Sequence, residues 1–179
     1  MQQSPSLERV CNGSLRIIRN LRELQFSKLL DVYSGSLYSS CSTQKQLEAE
    51  QDFYAFLREF FKSGFYAVWE LNGRYVSALR LEPYQDGLLL EAVETAPAQR
   101  NQGYAKRLLN SALAYVTEYQ SCPVYSHVKK DNDPSLALHR ACGFQKILDY
   151  ASYIDGSVAR DARTFVFDRQ RSDSDDTVV

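Results

Sequence analysis

Two acids stand inside the most apolar run of the chain, Leu88-Leu89-Leu90-Glu91-Ala92-Val93-Glu94-Thr95. A carboxylate on a strand covered from both sides is costly to bury unless it has a task or a partner. Regular alternation points Glu91 and Glu94 to opposite faces, with Glu91 beside Leu89, Val93 and Thr95. The run leads to Arg100-Asn101-Gln102-Gly103-Tyr104-Ala105, a turn that opens a helix. The first N–H groups of a helix have no partner within it, and its dipole adds about half a positive charge there. Gly103 bares the backbone at the point of closest approach and Ala105 keeps the next turn small. With Arg100, Lys106 and Arg107 able to add positive charge, this turn is suited to hold a phosphate, the alternative being an ordinary capped loop with a solvated basic face.

Composition narrows the classes. A chain of 179 residues suits a single domain, and 44% apolar residues suffice for a substantial core. A formal net charge of -1 offers no basic stripe for nucleic acid. Cys11, Cys41, Cys122 and Cys142 are scattered, and the only histidines are His127 and His139, so no metal site is expected. The N-terminus has no apolar signal segment, and no run approaches the roughly 18 apolar residues of a membrane span. Unpaired thiols and the missing signal predict a soluble, cytoplasmic protein in a reducing compartment, without a membrane partner.

The elements that must position these residues follow from periodicity. Residues 1–14 are expected to form a polar tail, 15–168 one domain, and 169–179 a disordered acidic tail. After a short strand at Leu15–Ile18, helical spacing covers Phe26, Leu29, Leu30, Tyr33 and Leu37. A second helix, capped at Thr43, carries Leu47, Phe53, Tyr54, Leu57, Phe60 and Phe61 and closes at Ser63-Gly64. Period two then predicts Phe65–Leu71 and Arg74–Leu81 as a hairpin around Asn72-Gly73. Pro83 and Asp86-Gly87 mark the next turn, and Leu88–Thr95 completes an antiparallel meander. An amphipathic helix follows Gly103, then a strand at Pro123–Val128 paired in parallel across that helix. A short helix starts at Asp133-Pro134, with Asp133 as cap, and stops at Gly143. Phe144–Ile154 and Thr164–Phe167 are the last strands.

This order, from Leu15 to Asp168, resembles the GNAT superfamily of acetyl-CoA-dependent N-acetyltransferases. Arg100 to Ala105 fits the family's acyl-CoA signature, [Gln/Arg]-x-x-Gly-x-[Gly/Ala]. Asn132 matches an asparagine the family places beside the cofactor arm. Leu138-His139-Arg140-Ala141-Cys142-Gly143-Phe144 is similar to its Leu-Tyr-x-x-x-Gly-Phe segment, with His139 where tyrosine is usual. The resemblance implies an α/β fold: a mixed, mostly antiparallel sheet of six to seven strands flanked by about four helices. It implies acetyl-CoA as co-substrate, its pantetheine arm inserted along the strand at Thr95 like an added strand, its pyrophosphate on Arg100, Asn101, Gln102, Gly103, Tyr104 and Ala105. It implies an amine acceptor; alternation then prefers Glu91 over Glu94 as base or amine anchor, the alternatives being rim salt bridges or a bulge that spoils the parity. His139 is the implied acid toward the leaving thiolate, the alternative being a surface or cap histidine; His127 stands as an outside candidate for the acceptor pocket. A small-molecule amine and a monomer or homodimer are expected. A non-catalytic acyl-CoA sensor and a nucleotide or phosphate binder are the rival readings.

Overall fold

Strand alternation builds a sheet with two dry faces. Phe65 and Ala67 join one core cluster and Tyr66 and Val68 the other, so β2 (Phe65–Leu71) is covered on both sides. The structure, a computed structural model, describes residues 13–39 and 42–168. Most of the expected N-terminal tail, the C-terminal tail, Cys11 and Cys41 lie outside the described residues.

The sheet has seven strands in the order β1 (Gly13–Ile18), β2, β3 (Arg74–Tyr84), β4 (Gly87–Thr95), β5 (Val124–Lys129), β9 (Ala162–Phe167) and β6 (Gln145–Leu148). Among the described residues only β4 and β5 pair in parallel; the other neighbours are antiparallel. That parallel step is spanned by α3 (Tyr104–Tyr119), as parallel pairing requires. Leu108, Leu109, Ala112, Leu113 and Val116 bury one stripe of α3 against Leu79, Leu81, Leu88 and Leu90. Each such leucine contributes about 1.5–3 kcal/mol by leaving water. Leu136 of α4 (Asp133–Ala141) joins the same core. On the other face, α1 (Phe26–Leu37) and α2 (Thr43–Phe60) pack Leu29, Val32, Tyr33, Leu57 and Phe60 over Tyr66, Val68 and Ala78.

The Asn72-Gly73 hairpin stands as expected, with both residues at positive φ. Four boundaries differ from the sequence expectations. β3 continues through Pro83 to Tyr84, because Gln85, at φ 49°, makes the turn with Asp86. The second helix is preceded by Ser42, with Thr43 already helical. The cap of α4 is Asn132, whose side chain accepts the Ser135 N–H at 3.2 Å, with Asp133 in the first turn. Phe144–Ile154 is not one strand. The chain leaves the sheet at Asp149, held by Lys130 at 2.9 Å and Arg163 at 3.1 Å. Those hydrogen bonds keep its carboxyl down at about 2. Beyond it, β7 (Ala151–Ser152) pairs with β8 (Val158–Ala159) as a separate hairpin.

Candidate active site

Two strands separate at the centre of the sheet. The β4–β5 ladder has three pairs, Leu88↔Val124, Leu89↔Tyr125 and Leu90↔Ser126, and then stops. Each strand continues on its outer side: β4 pairs with β3 as far as Thr95↔Ser77, and β5 with β9 as far as Lys129↔Ala162. The cause is local. Ala92 sits at φ 50°, and the β3–β4 register jumps between Ala78 and Arg80, so β4 bulges by one residue. Tyr33 of α1 donates its hydroxyl to the Ala92 carbonyl at 2.7 Å and pins the bulge.

The bulge corrects the parity expected from alternation. Glu91 pairs with Arg80 and Glu94 with Ala78, and those partners are two apart on β3. Both glutamates therefore share the face toward α1, while Val93 packs into the opposite core. Thr95 also lies on that opposite side, beside Ser77, whose hydroxyl donates to Glu94 O at 2.6 Å and lies 3.1 Å from Thr95 Oγ1.

The three acids on this face are not equivalent. Glu91 Oε2 takes two guanidinium hydrogen bonds from Arg80, at 2.8 and 3.2 Å. Arg80 in turn lies over the Phe56 and Phe60 rings of α2, at 4.7 and 5.7 Å. Burial pushes the Glu94 carboxyl up, against the opposing pull of the Ser36 hydroxyl and Arg100. Burial also raises Glu82, and the Glu91 charge beside it adds to the rise.

Below the separation lies the turn. A short 3-10 segment, Pro97–Gln99, brings the chain to Gly103, which caps α3 at φ 79°. A Cβ placed on Gly103 would meet nothing within 4 Å, so the backbone faces an open cradle. No side chain caps α3, leaving its first N–H groups free for a ligand. Asn101 is also at positive φ, and Gln102 bonds back to Ala98 O at 3.5 Å. Tyr104 is buried beneath Arg107 and anchors the helix start. Arg100 is turned away from this cradle. Its Nε donates to Thr95 O at 3.2 Å, and its guanidinium packs so tightly on α1 that a Cβ at Gly35 would meet it at 2.5 Å. A pyrophosphate fits the backbone cradle, and a thioester arm fits the separated strands, on these observations.

The two histidines lie on opposite sides of the sheet. His139 is 2% exposed, among Phe144 and Phe165. Its Nδ1 donates to Ser135 O at 2.8 Å, so Nε2 accepts from Ser126 Oγ at 2.9 Å. Burial lowers its pKa, consistent with that neutral tautomer. Both nitrogens are engaged, which is a core histidine's geometry and leaves none for a thiolate. His127 lies on the other side of the sheet. Its ring lies edge-on to Tyr84 at 5.5 Å and Tyr153 at 5.0 Å, and both its nitrogens are buried without a hydrogen-bond partner among the described residues. The signal was present in Val124-Tyr125-Ser126-His127-Val128: with both valines in the α3-side core, His127 must face the other way.

A model of the Acetyltransferase (GNAT) family matches residues 26–144 of this chain. The chain belongs to the GNAT acetyltransferase family. The fold agrees with solved members of the family. A spermidine N-acetyltransferase chimera from Vibrio cholerae is 18% identical, with a TM-score of 0.64 over 89% of this chain and 96% of its own. The ribosomal-protein-S18-alanine N-acetyltransferase of Escherichia coli is 14% identical, at 0.61 over 87% and 92%. The PaiA N-acetyltransferase of Thermoplasma acidophilum, solved with coenzyme A, is 11% identical, at 0.60 over 87% and 99%. No curated protein matches the chain in sequence. Among the described residues of this GNAT chain, no helix is long and apolar enough to cross a membrane, and no His, Cys, Asp and Glu cluster could hold a metal.

Proposed function

We propose that this protein transfers an acetyl group from acetyl-CoA directly to the primary amine of a small molecule. The observation that carries the reading is the β4–β5 separation, which opens between the bare α3 N-terminus and an acidic, aromatic face. Acetyl-CoA, when bound, supplies an activated thioester. The backbone of Gly103, Tyr104 and Ala105 would hold its pyrophosphate, and the stretch of β4 that β5 leaves, from Val93 towards Thr95, its pantetheine arm, which would have to share or displace Arg100 at the Thr95 carbonyl. Asn132 spends its side-chain oxygen on the α4 cap, so its part in binding would be to set that helix start.

Glu82, Glu91 and Glu94 line the α1-side face, where Arg80 pairs with Glu91 alone, so the face favours a positively charged acceptor. A spermidine N-acetyltransferase among the structural neighbours fits that charge balance. Of the described cysteines, Cys122 lies in the loop before β5 and Cys142 is in the α3-side core. Burial raises both thiols, which supports direct transfer over a thiol-bound acyl group.

Two measurements test the reading. Acetyl-CoA and CoA are expected to raise the melting temperature and ATP to leave it unchanged; stabilisation by ATP alone would overturn the assignment. CoA release is then followed with spermidine, lysine and an alanine-initiated peptide. Turnover is expected with spermidine, and acetyl-CoA binding without turnover on any amine would leave a sensor instead of an enzyme.

His139 has a structural part in this reading. His139→Phe is expected to keep kcat within about threefold while destabilising the fold by about 1–3 kcal/mol, because the Ser126 hydroxyl and Ser135 carbonyl lose their partner. A hundredfold loss of kcat in a folded His139→Phe protein would restore it as the acid.

A further inference from the structure

We propose that His127 is the proton acceptor for the incoming amine, a role that rests on the transferase reading above. The ladder between β4 and β5 ends at Leu90↔Ser126, so Glu91 and His127 are the first residues past the fork on their strands. They share a face, since Leu89 and Tyr125, two residues before each, are themselves paired. The imidazole therefore stands at the mouth of the separation, on the side where an acceptor would arrive.

Its surroundings hold the ring and leave its chemistry free. Tyr84 and Tyr153 both meet it edge-on with interplanar angles of 86°. Tyr84 is fixed by its hydroxyl on Ser152 O at 2.6 Å. A half-buried imidazole whose two nitrogens are shielded and idle among the described residues is uncommon, because each forgoes a hydrogen bond that water would give. Either tautomer offers one lone pair. The rivals on this face are occupied: Glu91 by Arg80, Glu94 beyond the bulge beside the Ser36 hydroxyl. His139 is enclosed in the core on the α3 side.

The proton accounting is simple. An ammonium N–H bond breaks, the proton joins an imidazole nitrogen directly or across one water, and the lone pair stays on the amine. The imidazolium later returns that proton to bulk water, the one net proton released when an ammonium becomes an amide. Glu91 on β4 faces the ring and favours the imidazolium, tempered by its pairing with Arg80 on β3. From the other packed elements come the Tyr84 phenol on β3, the Tyr153 phenol after β7 and the Thr164 hydroxyl on β9. Glu82 on β3 stands beside Glu91. Burial holds His127 below the usual histidine value, so the ring is neutral and able to accept at pH 7.

Two histidines in the chain make the test direct. With 15N-histidine labelling, the His127 signal is expected to titrate below pH 6.5, and Glu91→Gln to move that titration lower still. The His139 signal is expected to stay in one tautomer throughout. With spermidine as acceptor, the acid limb of kcat/KM should share the His127 midpoint, activity rising as the ring loses its proton. His127→Gln should lower kcat by about 10²–10³-fold and abolish that limb, while acetyl-CoA affinity stays within twofold. A kcat within threefold of wild type, or an unmoved acid limb, overturns the proposal. If His127→Gln does not fold, a wild-type acid limb that misses the His127 NMR midpoint overturns it alone. Absence of turnover in the wild type strikes the transferase reading itself, and this proposal falls with it.

Discussion

Gly103→Val is expected to raise the dissociation constant of acetyl-CoA at least about a hundredfold, close to 2.7 kcal/mol. The residue caps α3 at φ 79°, where its missing side chain leaves open space. A valine would project two methyl groups into that cradle and hold the phosphates off the helix N–H groups. Charge-assisted hydrogen bonds contribute roughly 1.5–3 kcal/mol each, so losing one or two accounts for the change. The fold should survive, because no neighbouring atom is struck; the cost is the left-handed backbone, about 1–2 kcal/mol. For a chain of this size that lowers the melting temperature by roughly 2–8 °C. Gly103→Asn, which tolerates positive φ, separates the two effects and should be the more stable variant. Calorimetric titration decides: unchanged acetyl-CoA affinity in folded Gly103→Val would place the pyrophosphate elsewhere.

Arg80→Leu is expected to destabilise the protein by about 3 kcal/mol, a figure typical of breaking a largely buried pair from one side. The Arg80 and Glu91 side chains are 24% and 19% exposed, so water cannot replace the lost partner fully. Two further losses follow: the stacking on Phe56 and Phe60, and the charge that moderates Glu82 beside Glu91. The melting temperature should fall by roughly 6–12 °C. Adding Glu91→Gln to Arg80→Leu should recover about half of that, because the stranded charge is gone. Equal stability of the single and double variants would show that packing on α2, and not the charge pair, is what Arg80 provides.

Much of this site was legible before the structure. Gly103 was marked by its place between a buried strand and a helical stripe, and Asn72-Gly73 by turn chemistry. A bulge in β4 was an open alternative, but its place was not legible, because Ala92 carries no sign of the positive φ that the strand asks of it. Tyr33 makes that conformation worth holding, and a contact between residues 59 apart leaves no local trace. One hidden residue of register was enough to put Glu91 and Glu94 on the same face instead of opposite ones. The Leu138–Phe144 segment speaks for a chemical part at His139, whereas the burial of that ring depends on Ser126, Phe144 and Phe165 converging from other elements. Alternation in β5 sets His127 opposite Val124 and Val128, but which face stays open is decided by the helices that cover the sheet, and no local pattern shows that.

The fork between β4 and β5 has a consequence for the protein in storage and in the cell. From Val93 to Thr95 the strand shows a hydrogen-bonding edge in the middle of the molecule, and an extended segment of any other chain could zip onto it. Sheet edges of this kind seed aggregates. Two features already described blunt this one: the kink at Ala92 bends the strand off a flat template, and Arg100 occupies the Thr95 carbonyl. Loss of either should show first as turbidity on concentration, before any loss of helix or sheet, and a saturating ligand in the fork should keep the solution clear.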